Sequence, residues 1–157
     1  MVRHAKSSWK HDVIDHQRPL KGRGRNDGAL VASHVKEHFN APQRIVTSDA
    51  VRALTTAQYF KDAFGISDAD FHPTHDLYDF SGRQVMEIIK GLDDSHDCVM
   101  IVGHNHAFTS IVNMLGSSYI DNVPTCGFIV LEFDTDHWKE VTTGTTKATV
   151  FPRELKS

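Results

Sequence analysis

The sequence predicts a three-layer α/β/α fold on a mostly parallel sheet with an antiparallel edge strand, and three observations predict it. Cys98 to Val102 is an apolar run without alternation, the pattern of a strand covered on both faces, as in a parallel sheet. Short apolar segments alternate with stretches of helical period along the first three quarters of the chain. Near the C-terminal end, two strand-like segments flank turn residues and read as an antiparallel pair. With 157 residues, 39% of them apolar, the chain can bury the core of one domain spanning 1–157.

Taken in order, Arg3-His4 falls at the C-terminal end of the first, central strand, although only Met1 and Val2 precede it. A central strand usually has about five residues, so a few apolar residues are expected to be missing from the start. An ordered sheet with a very short first strand would count against that. Residues 20–39 read as a helix with Leu30, Val31, Val35 and Phe39 inward. Ile45-Val46-Thr47 is a short strand running into Ser48-Asp49 as a helix cap. The following helix, Ala50 to about Phe64, turns Ala53, Leu54, Ala57, Phe60 and Phe64 inward and stops at Gly65. A short strand is expected around Phe71. Ser81, with Gln84 three residues on, matches a capping box and opens a helix carrying Val85, Ile88, Ile89 and Leu92 at helical spacing. After the apolar run comes a helix from His106 or Ala107 to Leu115, with Gly116 as its stop. The expected hairpin pairs 128–133 with 138–143 across a turn at 134–136.

Composition excludes several classes of function. A formal net charge of −3 argues against nucleic-acid binding through a broad basic face. No run approaches the ~18 apolar residues of a membrane span, no signal peptide is visible, and no membrane partner is expected. Two cysteines, Cys98 and Cys126, make no disulfide framework, and the cytoplasm is the simplest compartment. Eleven histidines raise the question of a metal. His34 and His38, and His72 and His75, are spaced to chelate, but a metal site needs a third ligand and an ordered outer shell. They read as solvated surface pairs, and neither a metal nor a cofactor is expected.

Ligands of open α/β sheets bind at the C-terminal ends of the strands. Four polar segments fall there: Arg3-His4, Ser48 to Arg52, Leu77-Tyr78-Asp79 and Gly103-His104-Asn105. Arg52 lies in the first turn of its helix, where a cation opposes the helix dipole unless an anion binds. Free N–H groups at the start of the helix after Asn105 offer a second anion-binding end. A neutral imidazole can attack phosphorus through one ring nitrogen when the other is fixed as N–H. Guanidinium forks suit the phosphoryl oxygens. The set therefore reads as a phosphoryl site, with His4 as nucleophile, Arg3 and Arg52 as clamps, and His104 as a donor to the phosphoryl group.

These residues resemble the histidine phosphatase superfamily, whose mark is Arg-His-Gly or Arg-His-Ala after the first strand and a later Gly-His. The chain is similar in particular to its SixA-type phosphohistidine phosphatases. The matching segments are Arg3 to Trp9, Asp15-x-x-Arg18-Pro19-Leu20 followed by Arg23-Gly24, Ser48-x-x-x-Arg52-Ala53-x-x-Thr56-Ala57, Leu77-Tyr78, Val102 to Asn105, and Asn122-x-Pro124-Thr125. The resemblance spans nearly the whole chain. It implies a phosphoglycerate mutase-like fold, a phosphoenzyme formed at His4 without a cofactor, and inorganic phosphate as product. It also implies a phosphorylated protein, or failing that a small phosphorylated molecule, as substrate. Arg18, Ser8 and Asn105 are expected to contribute to substrate binding. The chain departs from the pattern at Lys10, where mutases and related phosphatases usually carry Asn, and at His106, where the family usually has Pro. Asp79 stands where such enzymes place a Glu proton donor and is either the acid or a plain loop carboxylate. A weak acid would favour phosphohistidine, whose P–N bond is labile. A phosphoprotein-binding module with decayed catalysis is the alternative outside enzymology.

Overall fold

The computed structural model describes residues 1–156. Its six strands are β1 (Val2–Arg3), β2 (Arg44–Ser48), β3 (Phe71–Thr74), β4 (Val99–Gly103), β5 (Phe128–Glu132) and β6 (Thr145–Val150). Five helices accompany them: α1 (Gly22–His38), α2 (Val51–Phe64), α3 (Arg83–Lys90), α4 (Ala107–Leu115) and the single turn α5 (Pro152–Leu155). The strand order is β3-β2-β4-β1-β5-β6. The first four are parallel to one another, and β5 and β6 close the sheet antiparallel.

Alternation along the inner strands explains the layers. Ile45, Met100 and Val102 point to one face, where Val31 and Val35 of α1 meet Ala53, Ala57 and Phe60 of α2. Val46 and Ile101 point to the other, against Val85 and Ile89 of α3 and Phe108, Ile111 and Leu115 of α4. Both faces of β4 are therefore covered by helices, which is why its sequence is apolar throughout. Leu30 and Leu54, expected inward, are only half-buried at the edges of their helices.

The first strand is two residues long and ordered, with Val2 opposite Val102 on one side and Phe128 on the other. Its place between β4 and β5 puts Arg3 and His4 at the centre of the sheet, beside Gly103 and His104. Helix α1 approaches this point closely: a Cβ at Gly24 would overlap the Lys6 carbonyl oxygen, so only glycine lets the helix lie against the segment after His4.

Three expected local features differ. Helix α2 is capped by Ala50, not Ser48-Asp49; the Ser48 hydroxyl accepts the Ala50 N–H at 3.2 Å and serves the site instead. Helix α3 opens after Gly82, and Asp79 takes the place of a Ser81/Gln84 capping box. The second arm of the hairpin is 145–150, not 138–143. Residues Trp138–Glu140 form a 3-10 turn beside α3, with the Trp138 indole N–H donating to the His96 carbonyl at 2.8 Å and Val141 buried in the core. These apolar residues thus pack as a turn, and the alternating Thr145 to Val150 supplies the ladder to β5.

Candidate active site

The C-terminal ends of β1 and β4 bring His4 and His104 together, with ring centroids 5.2 Å apart. His4 Nδ1 lies 2.7 Å from the Ala5 carbonyl oxygen. A carbonyl only accepts, so the ring proton sits on Nδ1 and Nε2 keeps its lone pair. Burial, reinforced by the neighbouring His104, Arg52 and Arg3 and opposed by the Ala5 hydrogen bond, pushes the His4 pKa down to about 3. The imidazole is therefore neutral at physiological pH, as a nucleophile must be. Thr56 steadies this corner: its hydroxyl accepts the Ala5 N–H at 2.9 Å and donates to the Arg52 carbonyl at 2.7 Å.

His104 is fully buried and its Nε2 lies 2.8 Å from Ser48 Oγ. Ser48 Oγ accepts the Ala50 N–H, and its own proton is free for His104 Nε2. With the Ser48 hydroxyl donating to Nε2, the His104 ring proton sits on Nδ1, a buried nitrogen without a partner among the described residues. Burial first, and then Arg52, push this pKa also to about 3.

Two guanidinium groups complete the set. Arg52, only 2% exposed, donates from Nη1 to the Asp15 carbonyl at 2.7 Å and from Nη2 to the Asp15 carboxylate at 2.9 Å, leaving Nε buried and unpaired among the described residues. Arg3 donates to the Val123 carbonyl at 2.7 Å, and its Nε is likewise buried and unpaired. Asp15, absent from the expected site, is its organising carboxylate. It accepts from Arg52, from Arg18 Nε at 3.0 Å and from the Tyr78 hydroxyl. Burial alone would raise its pKa, but the hydrogen bonds from Tyr78, Arg52 and Arg18 hold it well below the usual carboxylate range.

Other expected residues take supporting places. Arg18 spends Nε on Asp15 and Nη1 on the Ser7 hydroxyl and Ser8 carbonyl, with its guanidinium 3.5 Å over the Trp9 ring. It is first a strut of the loop after β1. Ser8 Oγ accepts the Lys10 N–H at 3.1 Å, so Ser7, not Ser8, supplies the hydroxyl that meets Arg18. Asn105 is a correction: its amide N–H groups go to Asn122 and Val123, and its carbonyl accepts from the N–H and hydroxyl of Thr109. With both ends occupied it tethers the start of α4 instead of reaching a substrate.

Asp79 is a second correction. One carboxylate oxygen accepts the N–H groups of Gly82, Gln84 and Val85, and the other the Ser81 N–H and hydroxyl. Desolvation works to raise its pKa, yet these donors prevail and lower it. A carboxylate held ionised at a helix N-terminus has no proton to give, so Asp79 is not the acid. Asp79→Ala is expected to cost about 1–2 kcal/mol of stability while leaving turnover of a phosphoramidate near the wild-type value. Thermal melts and steady-state rates check this; a proton donor would instead show a rate loss growing with leaving-group basicity.

The two neutral histidines also set a pH dependence. Both pKa values lie near 3 in the folded chain, below the ordinary 6.5, so the unfolded chain takes up protons first as pH falls. Their contribution is fully present above pH 6.5 and is lost as pH drops from there toward 3. The slope is at most about 1.4 kcal/mol per pH unit for each histidine. Urea unfolding at a series of pH values should show it, with a shallower slope in His104→Gln.

Comparison with known proteins agrees with this geometry. Residues 1–82 match the family model of the histidine phosphatase superfamily (branch 1). The chain belongs to that superfamily. As a histidine phosphatase it is a hydrolase, and its fold is that of the phosphoglycerate mutase-like enzymes. It is 28% identical over 153 residues to an uncharacterised protein of Mycobacterium tuberculosis, covering 91% of this chain and 93% of the relative. It is also 28% identical over 149 residues to an uncharacterised chloroplastic protein of Arabidopsis thaliana, covering 89% and 68%. Among solved structures, a chain of Agrobacterium tumefaciens assigned to the SixA phosphohistidine phosphatases shares 26% identity with a TM-score of 0.73, covering 84% of this histidine phosphatase and 88% of that chain. The protein histidine phosphatase SixA complexed with tungstate superimposes with a TM-score of 0.82 at 19% identity, over 98% and 96% of the two chains.

Proposed function

We propose that this chain dephosphorylates phosphohistidine on a protein, passing the phosphoryl group through its own His4. The observation that carries the proposal is the set of orphaned donors. Arg3 Nε, Arg52 Nε and His104 Nδ1 are all buried without hydrogen-bond partners among the described residues. A buried unpaired donor costs about 1–3 kcal/mol, and a phosphoryl dianion offers enough acceptor oxygens to satisfy all three. These three residues neighbour a neutral imidazole whose Nε2 is free, and in-line phosphoryl transfer needs such a nucleophile beside charge-stabilising donors.

In the first step the His4 Nε2 lone pair forms the new N–P bond as the bond from phosphorus to the substrate imidazole breaks. The departing nitrogen takes a proton from solvent, and Nδ1–H of His4 stays on the Ala5 carbonyl. Water then attacks phosphorus, the bond to His4 breaks, and inorganic phosphate leaves. Arg3, Arg52 and His104 hold the charge that develops on the phosphoryl oxygens. The substrate class rests on the acid. Asp15 and Asp79 are both held ionised by their hydrogen bonds, so neither can protonate a poor leaving group. Imidazole leaves far more readily than an alkoxide and suits a site without a carboxylic acid. The likeness to SixA chains supports the same substrate.

The test compares a phosphohistidine protein, a small phosphoramidate and ordinary phosphomonoesters, with chelator present and His4→Ala as blank. Preference for the P–N substrates by kcat/KM is the expected result. Hydrolysis of phosphomonoesters with phosphohistidine ignored would overturn the substrate assignment. Failure to form the His4 phosphoenzyme in chelator, with its recovery on adding metal, would overturn the mechanism.

A further inference from the structure

Beside the phosphoryl pocket lies a second cluster that takes no part in the proposed reaction. His16 follows Asp15 in the 3-10 turn Asp15–Gln17, Asp49 joins β2 to α2, and His75 opens the 3-10 turn after β3. His16 Nε2 is 2.7 Å from Asp49 Oδ1, and His75 Nδ1 is 3.1 Å from both carboxylate oxygens. One ligand atom from each residue lies within 4.8 Å of the others. We propose that His16, Asp49 and His75 bind one divalent transition-metal ion of the zinc class, at a site accessory to the phosphoryl chemistry.

Donor type, spacing and charge all favour this ligand. Two imidazole nitrogens and one carboxylate oxygen are the donor set of three-ligand zinc sites that keep a fourth position open. Bonds of about 2.0–2.1 Å in a tetrahedral centre place ligand atoms roughly 3.3 Å apart, and the observed separations from Asp49, 2.7 and 3.1 Å, need open only by a few tenths of an ångström to reach it. The three residues come from three separate segments, so the cluster already has its shape before an ion arrives. Among the described residues, Asp49 has no Lys or Arg ion pair; its partners are the two imidazoles alone. With those imidazoles neutral the cluster carries one negative charge, which a dication offsets. The rings are also held: His16 meets the edge of Tyr78 at 4.9 Å, and His75 packs on the same ring at 5.4 Å. The His75 side chain is 71% exposed, so an ion can enter from solvent and retain water in the open position.

A bound ion would pin the turn that carries Asp15 to the loops after β2 and β3. Since Asp15 orients Arg52 and Arg18, metal loading braces the phosphate clamp from outside without touching the reacting atoms. The sequence hides this arrangement because its histidine pairs suggest local chelation. His72 instead bonds the Ala69 carbonyl, and the His34 and His38 rings lie tilted against each other with centroids 4.3 Å apart.

The test is a titration of the chelator-stripped full chain with Co²⁺, read by its visible d–d bands, alongside melting temperatures with and without Zn²⁺. One saturable equivalent of Co²⁺ and a Zn²⁺-dependent rise in melting temperature are expected. His75→Ala and Asp49→Asn should each weaken binding by about tenfold or more and remove the thermal shift, while His34→Ala leaves both unchanged. Circular dichroism confirms that the variants fold, and metal-free His75→Ala keeps its phosphatase activity. The proposal falls if no d–d bands appear, if His75→Ala binds like the wild type, or if His34→Ala abolishes binding. None of these outcomes bears on the phosphoenzyme at His4.

Discussion

Replacing His4 with alanine is expected to lower kcat/KM by roughly four orders of magnitude or more and to remove the phosphoenzyme. The reason is that the site prepares one nitrogen. The Ala5 carbonyl fixes the proton on Nδ1, burial keeps the ring neutral with a pKa of about 3, and Nε2 is left with its lone pair beside His104, Arg52 and Arg3. His104 cannot substitute, since its Nε2 is engaged by Ser48 and the network places the proton on Nδ1. Rapid quenching with a radiolabelled phosphoramidate, followed by peptide mapping, measures the intermediate directly. The wild type should carry acid-labile label on the peptide containing His4. His104→Ala should still form it, more slowly, because in the proposed mechanism that residue stabilises charge and makes no bond to phosphorus. Label persisting in His4→Ala at any other of the eleven histidines would sink the assignment.

The contrast between His4 and Asp15 shows what the sequence could reveal. His4, His104, Arg3 and Arg52 were legible because each sits at the end of a strand or in the first turn after one, and strand ends follow from apolar runs. Asp15 sits in a 3-10 turn with no apolar pattern, and its partners Arg52 and Tyr78 lie 37 and 63 residues away. Only tertiary closure shows that this carboxylate joins them. Asp79 was misread for a related reason. Its role depends on four backbone N–H groups, two to six residues further along the chain, converging on one side chain, a geometry that a four-residue capping pattern does not encode. The misplaced hairpin arm reflects competition between signals. Trp138 and Val141 carry more apolar character than 145–150, yet their spacing of three belongs to a turn, while the modest alternation of Thr145 to Val150 belongs to the strand.

Arg52→Lys separates charge from geometry at the clamp, and its expected effect is a fall in kcat/KM of about 10²–10³. Lysine retains the positive charge but cannot reproduce two parallel N–H bonds, so it cannot hold Asp15 and present a further donor to phosphate at once. The variant should also lose the rise in melting temperature that inorganic phosphate or vanadate gives the wild type, since an anion bound only to the folded state stabilises it. Asp15→Asn should behave in the opposite way. Without the carboxylate, the guanidinium of Arg52 is left buried with no counter-ion, and the anion-free protein should melt at a lower temperature. Added phosphate then supplies the missing negative charge, so the anion-induced shift should exceed that of the wild type, even as turnover drops because the fork is no longer aligned. The two variants together distinguish a clamp that binds phosphate from a structural ion pair. An Arg52→Lys protein with wild-type kcat/KM and an undiminished phosphate shift would place Arg52 outside the phosphoryl site. If Asp15→Asn showed no enlarged shift, the carboxylate and the phosphoryl group would not be sharing the same guanidinium.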